Sequence, residues 1–301
     1  MKRSDNLILN APVLFLVFNR LDTTKKVFEE IRKARPKKLF IAADGPRTKE
    51  EKKKTDEVRN YVLKNIDWDC KVKKFFRKKN LGCKYAVSGA IDWFFENVEQ
   101  GIILEDDTLP SQSFFRFCQE LLEKYKKEEK VMHISGTNVE GVSDIEESYL
   151  FSKTFNVWGW ATWKRAWKCY DVEMRDWIRY RSFSGLKDLG YRGLFWSLNA
   201  RRILNLTYKG KIDTWDYQWD FACRKKGGLS IIPQKNLITN IGFEEGTHTT
   251  NYKKENKSLK RFEISFPLEH NLHVKPSQFY YERFMSFFQG NLIKKLIKKI
   301  S

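Results

Sequence analysis

The chain has 301 residues, 41% of them hydrophobic and 15% aromatic, which excludes a disordered chain and allows one large or two small domains with a sizeable core. A formal net charge of +19 points either to an anionic partner (nucleotide phosphates, nucleic acid, an acidic lipid leaflet) or to a lysine-rich solvated surface. Five cysteines without CxxC spacing exclude a disulfide scaffold or zinc site and fit reduced thiols in the cytoplasm, and no apolar run is long enough to span a bilayer.

The N-terminus has a faint signal-peptide look, but Asn10 and Pro12 interrupt it and no small-residue cleavage site follows. Val13–Phe18 reads as a buried strand. Asp22 or Thr23 then caps a helix through Ala34, stopped before Pro36. Leu39–Ala43 is a second strand, ending at Asp44-Gly45-Pro46, and a lysine-rich helix runs to about Lys64. Lys71–Phe76 is a third strand, Lys84–Val98 a helix and Gly101–Leu104 a fourth strand. Pro110-Ser111 opens another helix before a strand at Val131–Ser135. This alternation predicts an α/β fold with a mostly parallel sheet flanked by helices, and such sheets bind ligands at the carboxyl ends of their strands. Asn19, Arg20, Asp44, Arg77, Asn80 and Glu105–Asp107 all fall at or just past those ends.

The division expected is an α/β half over 1–135, an aromatic-rich half of the same domain over 136–275, and a basic amphipathic tail over 276–301. The run Ile102-Ile103-Leu104 ends in Glu105-Asp106-Asp107. Three acids at the end of a buried strand need a counter-charge, and oxygen donors of this kind suit Mg²⁺ or Mn²⁺ carrying a diphosphate. In the second half, Asp213, Asp216 and Asp220 are interleaved with Trp215, Tyr217 and Trp219, as in carbohydrate sites where rings stack on sugars and carboxylates take hydroxyl protons. Asp216 and Asp220 share a helix face, so either could act as a general base. His248 lies in a glycine-flanked polar loop of the kind that closes over ligands. His133, on an apolar strand, reads as a satisfied core residue. No GxxxxGK[ST], GxGxxG or GxSxG motif is present.

With these residues in place, the chain resembles the GT-A class of nucleotide-sugar glycosyltransferases over roughly residues 12–250. Arg77 through Lys84 is similar to the Asn-Leu-Gly stretch of family 2 glycosyltransferases. The Glu-Asp-Asp cluster resembles that of the N-acetylglucosaminyltransferases that initiate complex N-glycans. Phe18-Asn19-Arg20 is similar to their Cys-Asp-Arg, and Ala43-Asp44-Gly45 to their Gln-Asp-Cys. Val157-Trp158-Gly159-Trp160 is similar to their Gly-Leu-Gly-Trp, Thr214-Trp215-Asp216 to their Trp-Asp-Asp, and Gly246-Thr247-His248 to their Ser-His-Gly. The resemblance implies that Asp107 is the direct metal ligand, with Asp106 and Glu105 supporting metal and ribose, and that His248 approaches the metal or diphosphate. It also implies that Arg20 approaches the diphosphate, that Asp44 and either Arg77 or Asn80 contact the nucleobase side, and that Asn19 belongs to the same nucleotide-sugar site. Trp158, Gly159, Trp160 and Trp215 would bind the acceptor, and Asp216 would be the base of an inverting transfer.

The resulting expectation is a cytoplasmic, metal-dependent glycosyltransferase acting on a saccharide or lipid-linked saccharide. Residues 278–301, with lysines on one face and apolar residues on the other, would touch an anionic inner membrane face. A sugar-nucleotidyltransferase is the alternative, but it would carry a glycine-rich basic loop where Asn19-Arg20-Leu21-Asp22 stands. A nucleic-acid-binding protein is the second alternative. The lysines are spread from Lys2 to Lys299 without a stripe, so nucleic acid is not the expected partner.

Overall fold

A computed structural model describes residues 8–242 and 259–286. The elements run β1 (Val13–Val17), α1 (Leu21–Ala34), β2 (Lys38–Ala43), α2 (Lys49–Lys64), β3 (Lys71–Phe76), α3 (Gly82–Asn97), β4 (Gln100–Glu105), β5 (Thr108–Pro110), α4 (Gln112–Lys124) and β6 (Val131–Ser135). Then come β7 (Tyr149–Ser152), β8 (Trp160–Trp163), α5 (Lys164–Trp167), α6 (Trp177–Tyr180), α7 (Phe183–Asp188), α8 (Leu194–Tyr208), α9 (Asp216–Lys225), β9 (Leu229–Pro233) and β10 (Ile238–Asn240).

Eight strands form one sheet in the order β3-β2-β1-β4-β8-β6-β9-β7. The first four are mutually parallel, so their carboxyl ends share one edge. Side chains alternate across the sheet. Val13, Phe15 and Val17 of β1 join Ile102 and Leu104 of β4 in a core that also takes Val27 and Phe28 of α1 and Phe114 of α4. Leu14, Leu16 and Ile103 face the other way, onto Ile91 and Phe94 of α3 and Trp219 of α9. The same alternation puts Glu105 on the face of Ile103, toward α3.

Two features depart from the sequence pattern. β8 runs antiparallel between β4 and β6, so β6 does not follow β4 in the sheet. This antiparallel strand comes from the aromatic half, which therefore extends the same sheet. The α1 N-terminus takes no side-chain cap from Asp22 or Thr23; Arg20 occupies the capping position, and Thr24 Oγ1 donates to its carbonyl at 2.5 Å. Residues 278–286 are helical and docked by Tyr280, which is 1% exposed. Among the described residues no helix is long and apolar enough to cross a membrane. The loop carrying His248 and the tail beyond residue 286 lie outside the described residues.

Candidate functional site

A cleft of about 1040 Å³ opens at the carboxyl ends of β1 to β4. Asn19, Arg20, Asp44, Arg77, Asn80, Glu105, Asp106 and Asp107 all line it, so the residues expected on the donor side do converge. Each comes from a strand end or the turn after it, which is why residues so far apart in sequence meet.

The acids are held unequally. Asp106 is turned inward, 3% exposed, and accepts from the Phe18 N–H at 3.3 Å and from Arg20. Arg20 also reaches Asp107 Oδ2 at 3.0 Å, so one guanidinium spans two carboxylates. Burial opposes the charge of Arg20, but Asp106 and Asp107 outweigh it and raise its pKa. Burial pushes up the carboxyl of Asp106, against Arg20. Burial, then Asp107 and Asp106, push up that of Glu105. One arginine therefore leaves the cluster short of positive charge. Gly242 backs onto it, and any side chain there would collide with the Asp107 carboxylate.

The donors are all hard oxygens, as Mg²⁺ or Mn²⁺ prefers. Among the described residues, no three of His, Cys, Asp and Glu are arranged to hold an ion by themselves. A cation here would complete its ligands from a diphosphate and water, which suits Mg²⁺ in particular. The set fits such an ion.

Asp44 and Asn80 shape the far wall. Asp44 accepts from Leu81 N–H at 3.0 Å and Gly45 N–H at 2.8 Å, while Asn80 Nδ2 donates to the Gly45 carbonyl at 2.8 Å. Burial raises the Asp44 pKa despite these bonds. Arg77 lies 4.5 Å over the Phe75 ring, forms no ion pair among the described residues, and lines the cleft near enough to Asp44 for its charge to oppose the rise of that carboxyl. Asn19 is tied to Glu51 at 2.9 Å, and Glu51 also grips Arg47.

Asp216 begins α9 and accepts from Thr214 Oγ1 and from the Tyr217 N–H at 3.0 Å. Burial raises its pKa. It does not line the cleft, yet it is close enough to push up the Cys83 thiol, after burial and Glu105, and the Glu105 carboxyl. Asp220, the other candidate base, is engaged elsewhere: it accepts from Arg224 Nε at 2.7 Å and Tyr191 at 2.8 Å.

Of the residues expected on the acceptor side, Trp160 and Trp215 are closed to solvent. Trp160 and Trp215 are 0% and 2% exposed and stack on each other at 5.6 Å, so neither offers a face to a sugar. Gly159 is buried at φ +60, where a side chain would strike Ile238. Trp158 is half-buried and packs against the opposite core from Trp160. His133 is a core residue: it stacks on Trp160 at 5.1 Å, Nδ1 accepts from Trp219 Nε1 at 3.1 Å, and Nε2 faces the Asn156 carbonyl at 2.9 Å.

Sequence reading grouped Asp213 with the acids around Trp215 and did not single out Arg47, Lys54, Cys83, Asn240 and Gly242 as lining residues. Asp213 accepts from the Cys83 and Lys84 N–H groups at 2.9 Å each, capping α3 from 130 residues away. Its acidic type beside Trp215 was visible, but its partner was not.

The chain matches no family model and no curated protein in sequence. Among solved structures, it is similar to a mannosyltransferase from Pyrobaculum calidifontis in complex with GDP-mannose and Mn²⁺, at 10% identity and TM-score 0.39 over 73% of this chain and 70% of that one. A UDP-glucose pyrophosphorylase complexed with UDP-glucose aligns at 13% identity and TM-score 0.39, over 78% of this chain and 95% of that one. Mouse xyloside xylosyltransferase 1 aligns at 11% identity and TM-score 0.33, over 70% and 80%. Likeness this distant carries no weight for the chemistry.

Proposed function

We propose that the protein is a metal-dependent glycosyltransferase that moves a sugar from a nucleotide diphosphate donor to a saccharide or lipid-linked saccharide. The observation that carries this reading is the convergence of Arg20, Asp44, Arg77 and Glu105–Asp107 on one cleft at the strand ends. The cleft has the size for a nucleotide sugar. The Arg20 fork offers charge to a diphosphate, and the wall of Asp44, Arg77 and Asn80 leaves the nucleobase the end away from the acids.

In this reading Asp107, backed by Asp106 and Glu105, holds Mg²⁺ or Mn²⁺. The ion, when bound, neutralises charge on the departing diphosphate. Asp216 takes the proton from the acceptor hydroxyl, its burial making the carboxylate more basic. Attack from the side opposite the diphosphate inverts the anomeric carbon. His248 belongs to the same proposal as a donor-side residue.

The test is a thermal-shift screen of UDP-, GDP-, CMP- and dTDP-sugars with and without Mn²⁺. A donor at about a hundred times its Kd stabilises by about 2.7 kcal/mol. The expected result is a shift with one donor class that needs metal and is lost in Asp107→Asn. No shift with any donor overturns the reading. Release of pyrophosphate from a nucleoside triphosphate and a sugar phosphate would replace it with a nucleotidyltransferase.

A further inference from the structure

The helices α6 to α8 form a lobe whose own core is closed by Trp177, Leu186, Leu204 and Phe221. The opposite surface of α8 is nevertheless apolar. Leu194 is 69% exposed, Leu198 48% and Phe195 37%, and Phe183 of α7 is 49% exposed. Leu194, Leu198 and Arg202 succeed one another at four-residue steps, so one helix face passes from apolar to cationic. Arg201 lies 6.0 Å over the Phe183 ring and joins α7 to that face. Between residues 178 and 211 the sequence carries eight lysines and arginines and one acid, Asp188.

We propose that this face docks on an anionic phospholipid bilayer. An apolar strip with a cationic rim can set side chains among acyl chains while its arginines meet headgroup phosphates. A second copy of the chain would set the same cations against each other. A nucleic acid calls for stacked aromatics along a cationic groove, whereas the most exposed residues on α8 are leucines. The sequence had assigned membrane contact to residues 278–301. The described part of that segment is tied to this lobe, Tyr281 donating to the Gly190 carbonyl at 3.3 Å.

The test is co-sedimentation of the full chain with phosphatidylcholine vesicles, with and without phosphatidylglycerol. The measurement contains no donor or acceptor, so its outcome is separate from that of the transferase reading. Wild type is expected to pellet only with the anionic vesicles. Arg192, exposed two residues before α8, adds a second cation at the apolar end, and each cation near such a surface contributes about 1 kcal/mol, so Arg192→Gln with Arg202→Gln should weaken binding about thirtyfold. Leu194→Gln with Leu198→Gln should weaken it at least about tenfold. All four side chains are exposed, so an unchanged Tm is the folding control. A third variant, carrying Lys294→Gln, Lys295→Gln, Lys298→Gln and Lys299→Gln, separates the tail from the lobe and should keep the lobe's share of binding. The proposal is overturned if wild type ignores anionic vesicles, or if only the tail variant loses binding. It is equally overturned if the leucine pair merely turns a dimer into a monomer in gel filtration.

Discussion

Two carboxylates four residues apart on α9 looked equivalent in sequence, and their partners separate them. Asp220 is neutralised by Arg224, whereas Asp216, among the described residues, is held by a hydroxyl and a backbone N–H with no cation. Asp216→Asn is isosteric and should lower kcat by about 10²–10⁴ while leaving the donor-induced thermal shift intact. Asp220→Asn should lower stability instead, because it strands a buried arginine. Near-normal turnover in Asp216→Asn would remove it as the base. His133 gives a prediction about pH. Burial lowers its pKa from 6.5 to about 3, so between those values the unfolded chain binds a proton that the folded chain refuses. Stability from this group is present above about pH 6.5 and is lost as pH falls toward 3, by at most about 1.4 kcal/mol per pH unit. His133→Phe leaves Trp219 Nε1–H unpaired, while Ser135 Oγ still donates to the Asn156 carbonyl at 3.3 Å, and the buried orphan donor costs about 1–3 kcal/mol at neutral pH. Urea unfolding at pH 7.5 and pH 5 should then show a wild-type decline steeper than the variant's by about 2 kcal/mol. Parallel declines would show that another group senses acid.

At the scale of elements, the first half of the fold was legible because short continuous apolar runs, alternating with stretches at helical spacing, carry their own signal. Lys71–Phe76 and Val131–Ser135 fall where the pattern puts them, and the residues at the strand ends that line the cleft follow once those ends are known. β8 was illegible: Trp160-Ala161-Thr162-Trp163 is four residues long, buried throughout, and antiparallel by virtue of neighbours distant in sequence. The tryptophans misled for a related reason. A ring that stacks on sugar and a ring that fills a core have the same composition, and only burial tells them apart. The α3 N-terminus is the clearest element-level dependence. Gly82 holds φ +75, and a Cβ there would lie 2.7 Å from Asp213 Oδ2, the carboxylate that caps the helix. Gly82→Ala should cost about 1–2 kcal/mol through strained backbone and a displaced cap, read as a Tm lower by a few degrees. Because Cys83 and Asp213 line the cleft, donor affinity should fall with it. An alanine variant with unchanged Tm would mean that the Asp213 cap is dispensable.

Across the whole molecule, the net charge of +19 admits two readings, a solvated surface or a field that draws anions, and kinetics distinguishes them. A field summed over many distant lysines acts on approach, so it changes the association rate and is screened once the Debye length shrinks to about 10 Å near 0.1 M salt. Contacts inside the cleft, such as Arg77, act on the bound ligand and so on dissociation. Stopped-flow binding of the donor found in the thermal screen should therefore show kon falling several-fold as salt rises through this range, with koff nearly constant. Arg77→Gln should do the reverse, raising koff with a smaller change in kon. The lysines Lys71, Lys73 and Lys74 supply a control. They lie exposed on β3, the edge strand, where charge already serves to block edge-to-edge pairing of sheets. Changing all three to glutamine should lower kon modestly and leave koff untouched. If kon is indifferent both to salt and to these lysines, the charge is a solvated surface, and capture of the donor rests on the arginines of the cleft alone.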